Sequence, residues 1–511
     1  MDLEKQMTRA AANTNLYSQA LSWASDWSQR WFLDPGGNDR LRIGNVDAGW
    51  ATHVEAYLIL LELAIDQLGL SGRRSQPSLT RWLKAQGFDR GIRSAALRRL
   101  RASRTREAEV AAVVEIPTPS MLEPICLVIA ASDAAGAIAV ADPRAATRLA
   151  ACDRPTHALV LPWREERRLV AEARRSLTAM WRELRSESRP MPCGDIDLAP
   201  LASRRLGRLV LRSMPFLAAE SAAVERYLEA VRPDVVAIAS DQHRIGRLTV
   251  AAARRRGIRS VVLQHGLPQA QIGYLPVVAD LVAAWSPASR DWFLEAGTQP
   301  QSVVVTGNPR IDALAATPRP ESKAVHILLA LSPTAAATNE ALLRGAVEAL
   351  DRVPRALLTV KLHPGQGDWS FVARIVRGAT NRARIAVRRT EPLYPLLAEA
   401  SVVVVHRSSV AVEALVAHRP VIVHRAGTEA NTADLELADL RLRVTEGPSD
   451  LAVAATELSK ATVARRYLAE RRSQIERVAG PLDGRGAERI AALLHHREEV
   501  NADHEGATAS R

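Results

Sequence analysis

Residues 402–415 read VVVVHRSSVAVEAL, and this stretch decides the fold. Val402–Val405 is a β-branched run with no polar alternation. Such a run suits a strand buried on both faces, as in a parallel sheet covered by helices. His406, Arg407, Ser408 and Ser409 form a polar turn, and a helix is predicted to begin just after them. Strand, turn and helix in that order are the repeating unit of a doubly wound α/β layer.

The same unit recurs on either side. One set of apolar runs is Ile125–Ala131, His157–Leu161, Val235–Ser240, Ser260–Gln264, Leu281–Trp285 and Val303–Thr306. A second set is Val325–Leu331, Ala356–Leu362, Arg384–Val387, Val402–Val405 and Val421–Val423. Residues 315–323, AATPRPESK, separate the sets with two prolines and no apolar period, as a linker would. The prediction is therefore an α/β protein with two facing Rossmann-like domains, at 116–314 and 324–497. Residues 1–115 read as a helical N-terminal region, with apolar positions at helical spacing in Leu16–Phe32 and Ala51–Leu70. The polar end, 498–511, reads as disordered.

A chain of 511 residues is long enough for two or three domains, and 47% hydrophobic with 24% charged residues is a folding composition. Lys and Arg total 68 against 56 Asp and Glu, a net charge of +12. Guanidinium groups bind oxyanions in a bidentate way, so the charge alone admits nucleotides, anionic lipid surfaces and nucleic acid as partners. No nucleic acid is expected. The three cysteines, Cys126, Cys152 and Cys193, have neither zinc nor disulfide-framework spacing. The first thirty residues carry no signal-type apolar core, and Tyr57–Leu70 is too short and too charged to span a bilayer. A cytoplasmic location is expected, with possible peripheral contact with the membrane. Trp23, Trp27 and Trp31 lie four apart on one predicted helix face, which suits a packed stripe or a docking face. The seven arginines of Arg90–Arg106 suit a solvated face or lipid headgroups.

Polar residues cluster directly after the apolar runs. They are Ser240-Asp241-Gln242-His243, Gln264-His265-Gly266, Gly307-Asn308-Pro309-Arg310, Ser332-Pro333-Thr334, His363-Pro364-Gly365 and His406-Arg407-Ser408-Ser409. Ligands of open parallel sheets bind outside the carboxyl ends of the strands. Each cluster alone is ordinary turn chemistry; together they predict a shared cleft. Ser408 and Ser409 either cap a helix or donate to a phosphate, and Glu413, one turn on, either faces solvent or accepts from ribose hydroxyls. Lys361 and His363 share one side of their strand and could hold a leaving phosphate. Asp241, His243 and His265 are the titratable groups clustered at the first set of strand ends, where Asp241 or His265 could deprotonate an acceptor hydroxyl. Arg244 and Arg310 could bind an anionic acceptor or a phosphate. Asp195-Ile196-Asp197 matches a metal-binding Asp-x-Asp pattern but follows no clear strand. Gly365-Gln366-Gly367 lacks the rest of a dinucleotide fingerprint. No metal and no cofactor is expected.

The order QHG, GNPRID, SPT, KLHP and RSSVAVEAL…RPVIV resembles bacterial GT-B enzymes of surface-polysaccharide synthesis. The likeness is to capsule polysaccharide Kdo transferases, CDP-glycerol glycerophosphotransferases and sialyl or polysialyltransferases, over about residues 232–425. The resemblance implies a GT-B-like fold and a metal-independent glycosyltransferase. A nucleotide-sugar donor, or a related activated polyol phosphate, would meet a glycan or lipid-linked acceptor. It implies donor contacts from His363, Pro364, Ser408 and Ser409, a donor-side loop at Ser332–Thr334, and a cleft histidine at His265 beside Gly266. VTGNPRIDAL and HRPVIVHRAGTEA are also similar to the non-hydrolysing UDP-N-acetylglucosamine 2-epimerases. That family carries an acidic residue where this chain has QHGLPQA. A non-catalytic nucleotide- or glycan-binding protein is the third reading.

Overall fold

The computed structural model describes residues 16–495 except 17, 29, 35, 69–89, 91, 101–106, 133–134, 150–155, 188–189, 269–270, 316–323, 333–335, 364–368, 407 and 426–439. The expected linker beyond Ala315, the 498–511 tail, Thr334 and Pro364 fall outside the described residues.

Among the described residues, thirteen strands build two sheets: β1 Val110–Val114, β2 Gly136–Val140, β3 Thr156–Ala158, β4 Val235–Ile238, β5 Arg259–Leu263, β6 Leu281–Ala284, β7 Val303–Val305, β8 His326–Ala330, β9 Leu357–Lys361, β10 Ile385–Arg388, β11 Val402–Val405, β12 Val421–His424 and β13 Arg443–Thr445. The helices that bear on function are α1 His53–Gln67, α2 Pro119–Ala131, α3 Trp163–Ser186, α4 Phe216–Val231, α5 Arg244–Arg255, α6 Ala336–Arg352 and α7 Val410–Val416.

The first sheet has the order β3-β2-β1-β4-β5-β6-β7 and the second β10-β9-β8-β11-β12-β13. Counted within each sheet, both begin 3-2-1-4-5-6, the doubly wound order. Val110 pairs in parallel with Gly136 on one side and Val235 on the other. Leu329 likewise pairs in parallel with Val360 and Val404. The order reverses between β1 and β4 in the first sheet and between β8 and β11 in the second, so each sheet has one switch point. The predicted α/β class with two Rossmann-like sheets is the observed one.

The central strands are dry. All of Val110–Val114 and Val402–Val405 are buried, and full burial of a valine side chain contributes roughly 1.5 kcal/mol or more. Three sequence readings are corrected. Ile125–Ala131, read as a strand, lies in helix α2, which opens with Pro119 at its first turn. Val110–Val114, inside the region read as helical, is an interior strand of the first sheet. That same region also carries a short hairpin, Arg42–Ile43 against Val46–Asp47.

The chain forms two compact units. The first runs to Val282 and adds Ala296–Ser302 and the chain from Ala491; the second comprises Ala283–Glu295 and Val303–Ile490. The helical N-terminal residues thus share a unit with β1–β5. Trp23 and Trp31 are buried there, so they act as core residues. Among the described residues no helix is long and apolar enough to cross a membrane.

Candidate functional site

In the first unit the switch point opens on Glu115 after β1 and on Ser240–His243 after β4. His243 begins α5 with extended backbone and no side-chain cap. The free amide at Ile245 instead donates to Glu115 Oε2 at 2.9 Å. The helix end that could receive a ligand anion therefore already holds the protein's own carboxylate. Gly246 makes this approach possible: a Cβ there would sit 1.8 Å from Ser240 O.

Glu115 belongs to a buried ionic cluster. Arg244 Nε lies 2.8 Å from Glu220 Oε2, and its Nη1 lies 3.9 Å from Glu55. Arg90 Nη1 lies 3.8 Å from Glu220 and donates to Ser213 O at 3.0 Å. Burial pushes the Glu115 carboxyl up to about 8, with Glu55 and Glu220 adding to the rise. Burial also lifts Glu220 to about 6, against the pull of Arg90, and raises Glu55. The predicted role of Arg244 in binding an acceptor is corrected here: its guanidinium is buried and spent on Glu220 and Ser213.

Asp241 is likewise engaged. Its Oδ2 accepts from Val278 N at 2.6 Å and Ala279 N at 3.0 Å, and its Oδ1 from Gln242 Nε2. With three donors on its carboxylate, Asp241 ties the 276–279 loop to the end of β4. His265 is the other base candidate read from sequence. It stacks on Tyr274 with ring centroids 4.7 Å apart and planes at 2°. Burial, with nearby His243 adding, lowers it to about 4, so it is neutral at pH 7 and able to take a proton. Burial lowers His243 as well. Gly266 has a packing role, since a Cβ there would meet Tyr274 Oη at 2.7 Å.

Sequence reading missed Glu55, Glu115, Glu220, His53 and Arg247. Arg247 is 1% exposed and has no carboxylate within ion-pair distance among the described residues. It donates to Trp50 O at 3.0 Å and Gln242 Oε1 at 3.3 Å, lies 3.3 Å from His53 Nε2, and sits 4.9 Å over the Trp50 ring. The only early signal was its helical position four residues after His243.

In the second unit, the register sets Ala330 beside Lys361 and Leu329 beside Val404. Ser332, His363 and His406–Ser409 therefore follow three adjacent strands at one sheet edge, with neighbouring strands roughly 5 Å apart. Lys361 Nζ donates to Leu362 O and Arg389 O, both at 3.0 Å. An ammonium has three donors, so one is left for a ligand. Burial lowers Lys361, and burial with Lys361 nearby lowers His363. A lowered pKa leaves His363 mostly neutral at pH 7. Ser408 Oγ accepts from Val410 N at 3.3 Å, while Ser409 at the start of α7 makes no side-chain cap bond and is exposed. Ser332 is buried and its carbonyl accepts from Asn339. Arg310, read from sequence as part of the first domain, falls in the second unit; its Nη1 lies 3.9 Å from Glu413 Oε1. Glu413 is thus a partner for Arg310 as well as a candidate ribose contact.

Asp197 accepts from Met191 N and Ala199 N, which explains the Asp-x-Asp match as turn chemistry. Among the described residues no three His, Cys, Asp or Glu side chains are grouped to hold a metal ion.

No family model matches the chain, and no curated protein matches it. Solved structures do. The UDP-GlcNAc 2-epimerase of Neisseria meningitidis, crystallised with UDP-GlcNAc, is similar at 14% identity and a TM-score of 0.50, covering 75% of this chain and 99% of that one. The UDP-GlcNAc 2-epimerase of Methanocaldococcus jannaschii is 12% identical with a TM-score of 0.45, covering 75% and 99%. At such identities the likeness is one of fold, and the fold is GT-B-like.

Proposed function

We propose that this chain is an enzyme acting on a nucleotide-activated sugar, with the nucleotide held at the second sheet's edge. The observation that carries this is the contrast between the two switch points. The first is filled by Glu115, Glu55 and Glu220 with their arginines. The second offers hydroxyls and cationic or neutral donors: Lys361, His363, Ser408 and Ser409. A diphosphate suits the second, whereas the first is already occupied by the protein's own carboxyl groups. Thr334 and Pro364 complete the donor loop in this reading, and Glu413 with Arg310 fixes the ribose.

The reaction we favour is glycosyl transfer without a metal, to a glycan or lipid-linked acceptor in surface-polysaccharide synthesis. Lys361 and the His363 ring N–H stabilise the leaving phosphate. His265 takes the acceptor hydroxyl's proton. Peripheral contact with an anionic membrane fits the +12 charge. A second reading, 2-epimerisation of UDP-GlcNAc, is supported by the ligand of the Neisseria structure. The protonatable glutamates also fit it, since inverting a C–H centre needs groups that hold and release protons.

Incubation with UDP-, CDP-, CMP- and TDP-sugars separates the readings. Acceptor-dependent nucleotide release supports transfer. Conversion of UDP-GlcNAc to its 2-epimer without acceptor supports epimerisation. Nucleotide binding with neither outcome refutes both.

A further inference from the structure

Helix α3 reads WREERRLVAEARRSLTAMWRELRS. Its apolar side is covered: Ala173, Leu177, Trp181 and Leu184 are buried, and the helix packs on α4. Along its outer side Arg164, Arg167, Arg168, Arg174, Arg175, Arg182 and Arg185 are all exposed. At 3.6 residues per turn they fall within one sector of roughly 120°, along roughly 32 Å of helix axis. The acidic residues of α3 are Glu165, Glu166, Glu172 and Glu183, and at the same spacing every one falls outside that sector.

Two of these acids are committed elsewhere. Glu165 pairs with Arg226 at 2.8 Å, and Glu166 with Arg98 at 2.6 Å. Among the described residues, none of the arginines of the face forms an ion pair. Like charges three or four residues apart, as in Arg164, Arg167 and Arg168, destabilise a helix by themselves. Anions brought from outside relieve that repulsion. The basic run at Arg90–Arg106 is different: Arg90, Arg93 and Arg98 are spent on Glu220, Asp142 and Glu166.

The shape of the face decides the partner. A straight strip of guanidiniums, backed by protein, meets a flat array of phosphates all at once. A nucleic-acid duplex curves away from such a strip, and a helix packed on α4 cannot enter a groove. Trp163 stands at one end of α3 and is 56% exposed. Arg167 lies 5.1 Å from its ring centroid, so one ring face is already covered and closed to base stacking. An indole with an apolar body and a polar N–H suits the headgroup level of a bilayer.

We infer that the arginine face of α3 is a docking surface for an anionic lipid bilayer, with Trp163 as its interfacial anchor. This rests on the peripheral contact in the proposed function and gives that contact a place in the fold. The nucleotide chemistry does not enter it.

Cosedimentation of the full chain with vesicles tests this, using phosphatidylcholine with about 30% phosphatidylglycerol against phosphatidylcholine alone. Binding to the anionic vesicles is expected, with none to the neutral ones and with loss at about 0.5 M salt. Arg167→Gln, Arg168→Gln, Arg174→Gln and Arg175→Gln together should weaken binding about tenfold or more. Arg352→Gln, Arg377→Gln, Arg382→Gln and Arg465→Gln together remove the same charge from exposed positions of the second unit. That variant should bind within about twofold of wild type. Trp163→Ala should weaken binding as well. Thermal unfolding checks that each variant is folded. Absent binding to anionic vesicles, equal loss in the two quadruple variants, or binding untouched by Trp163→Ala overturns the inference. So does a duplex oligonucleotide that displaces the chain from the vesicles at equal phosphate concentration, which would make the face a nucleic-acid surface. Nucleotide titration of the same samples is independent. Failed vesicle binding beside intact nucleotide binding sinks the docking face alone, whereas absent nucleotide binding sinks the nucleotide reading alone.

Discussion

Glu115→Gln isolates the buried acid cluster. An ordinary glutamate titrates near 4.5, and Glu115 is pushed to about 8. That difference makes the ionised form cost on the order of 5 kcal/mol in the folded chain. The residue keeps partial solvent access, so about half of that, 2–3 kcal/mol, is the working expectation. Between pH 4.5 and 8 the unfolded chain loses this proton while the folded chain keeps it. Stability is thus fully present below 4.5, falls as pH rises, and is lost above about 8. The glutamine cannot ionise, yet its Oε1 still accepts from Ile245 N. The variant should match wild type at pH 5 to within about 0.5 kcal/mol. At pH 9 it should be more stable, with Tm higher by about 2–5 °C. Thermal unfolding by circular dichroism across pH 5–9 is the assay. Parallel Tm curves for the two proteins would refute the cluster as described.

Three further outcomes are expected. Gly246→Ala gains about 1 kcal/mol of helix propensity, but the new Cβ meets Ser240 O at 1.8 Å; overpacking against backbone costs about 1–3 kcal/mol or more, so Tm should fall, and an unchanged Tm contradicts the close approach. The acid limb of kcat/KM should have its midpoint near 4, the value of His265, because the base must be neutral to act; a midpoint at the ordinary histidine value of 6.5 would point to another base. Lys361→Met removes the ammonium's remaining donor and should weaken nucleotide binding about tenfold, roughly 1.4 kcal/mol, by calorimetric titration.

Five of the second sheet's six strands were legible as short apolar runs closed by polar turns, as in Val402–Val405, and β13, the three-residue edge strand RVT, was missed. The first was half legible. Val110–Val114 and Gly136–Val140 are alanine-rich, VAAVV and GAIAV, so their pattern does not separate strand from helix. Ile125–Ala131 is as apolar as any strand, yet it is the end of a 13-residue helix that starts at Pro119; a short apolar run alone does not fix the type. His243, His265, Lys361 and His363 were visible because strand ends are a local feature. Glu55, Glu115 and Glu220 were not, because they meet only after the chain folds. Nor could His53 be read, since its partner Arg247 lies 194 residues away.

The claim on which everything else rests is that the nucleotide binds at the second sheet's edge. Hydrogen exchange with and without UDP, CDP and CMP measures this directly. The account predicts slower exchange at 358–363 and 402–413 with the nucleotide that binds, and none of comparable size at 240–247. Protection at 240–247 with none at 358–363 and 402–413 contradicts it.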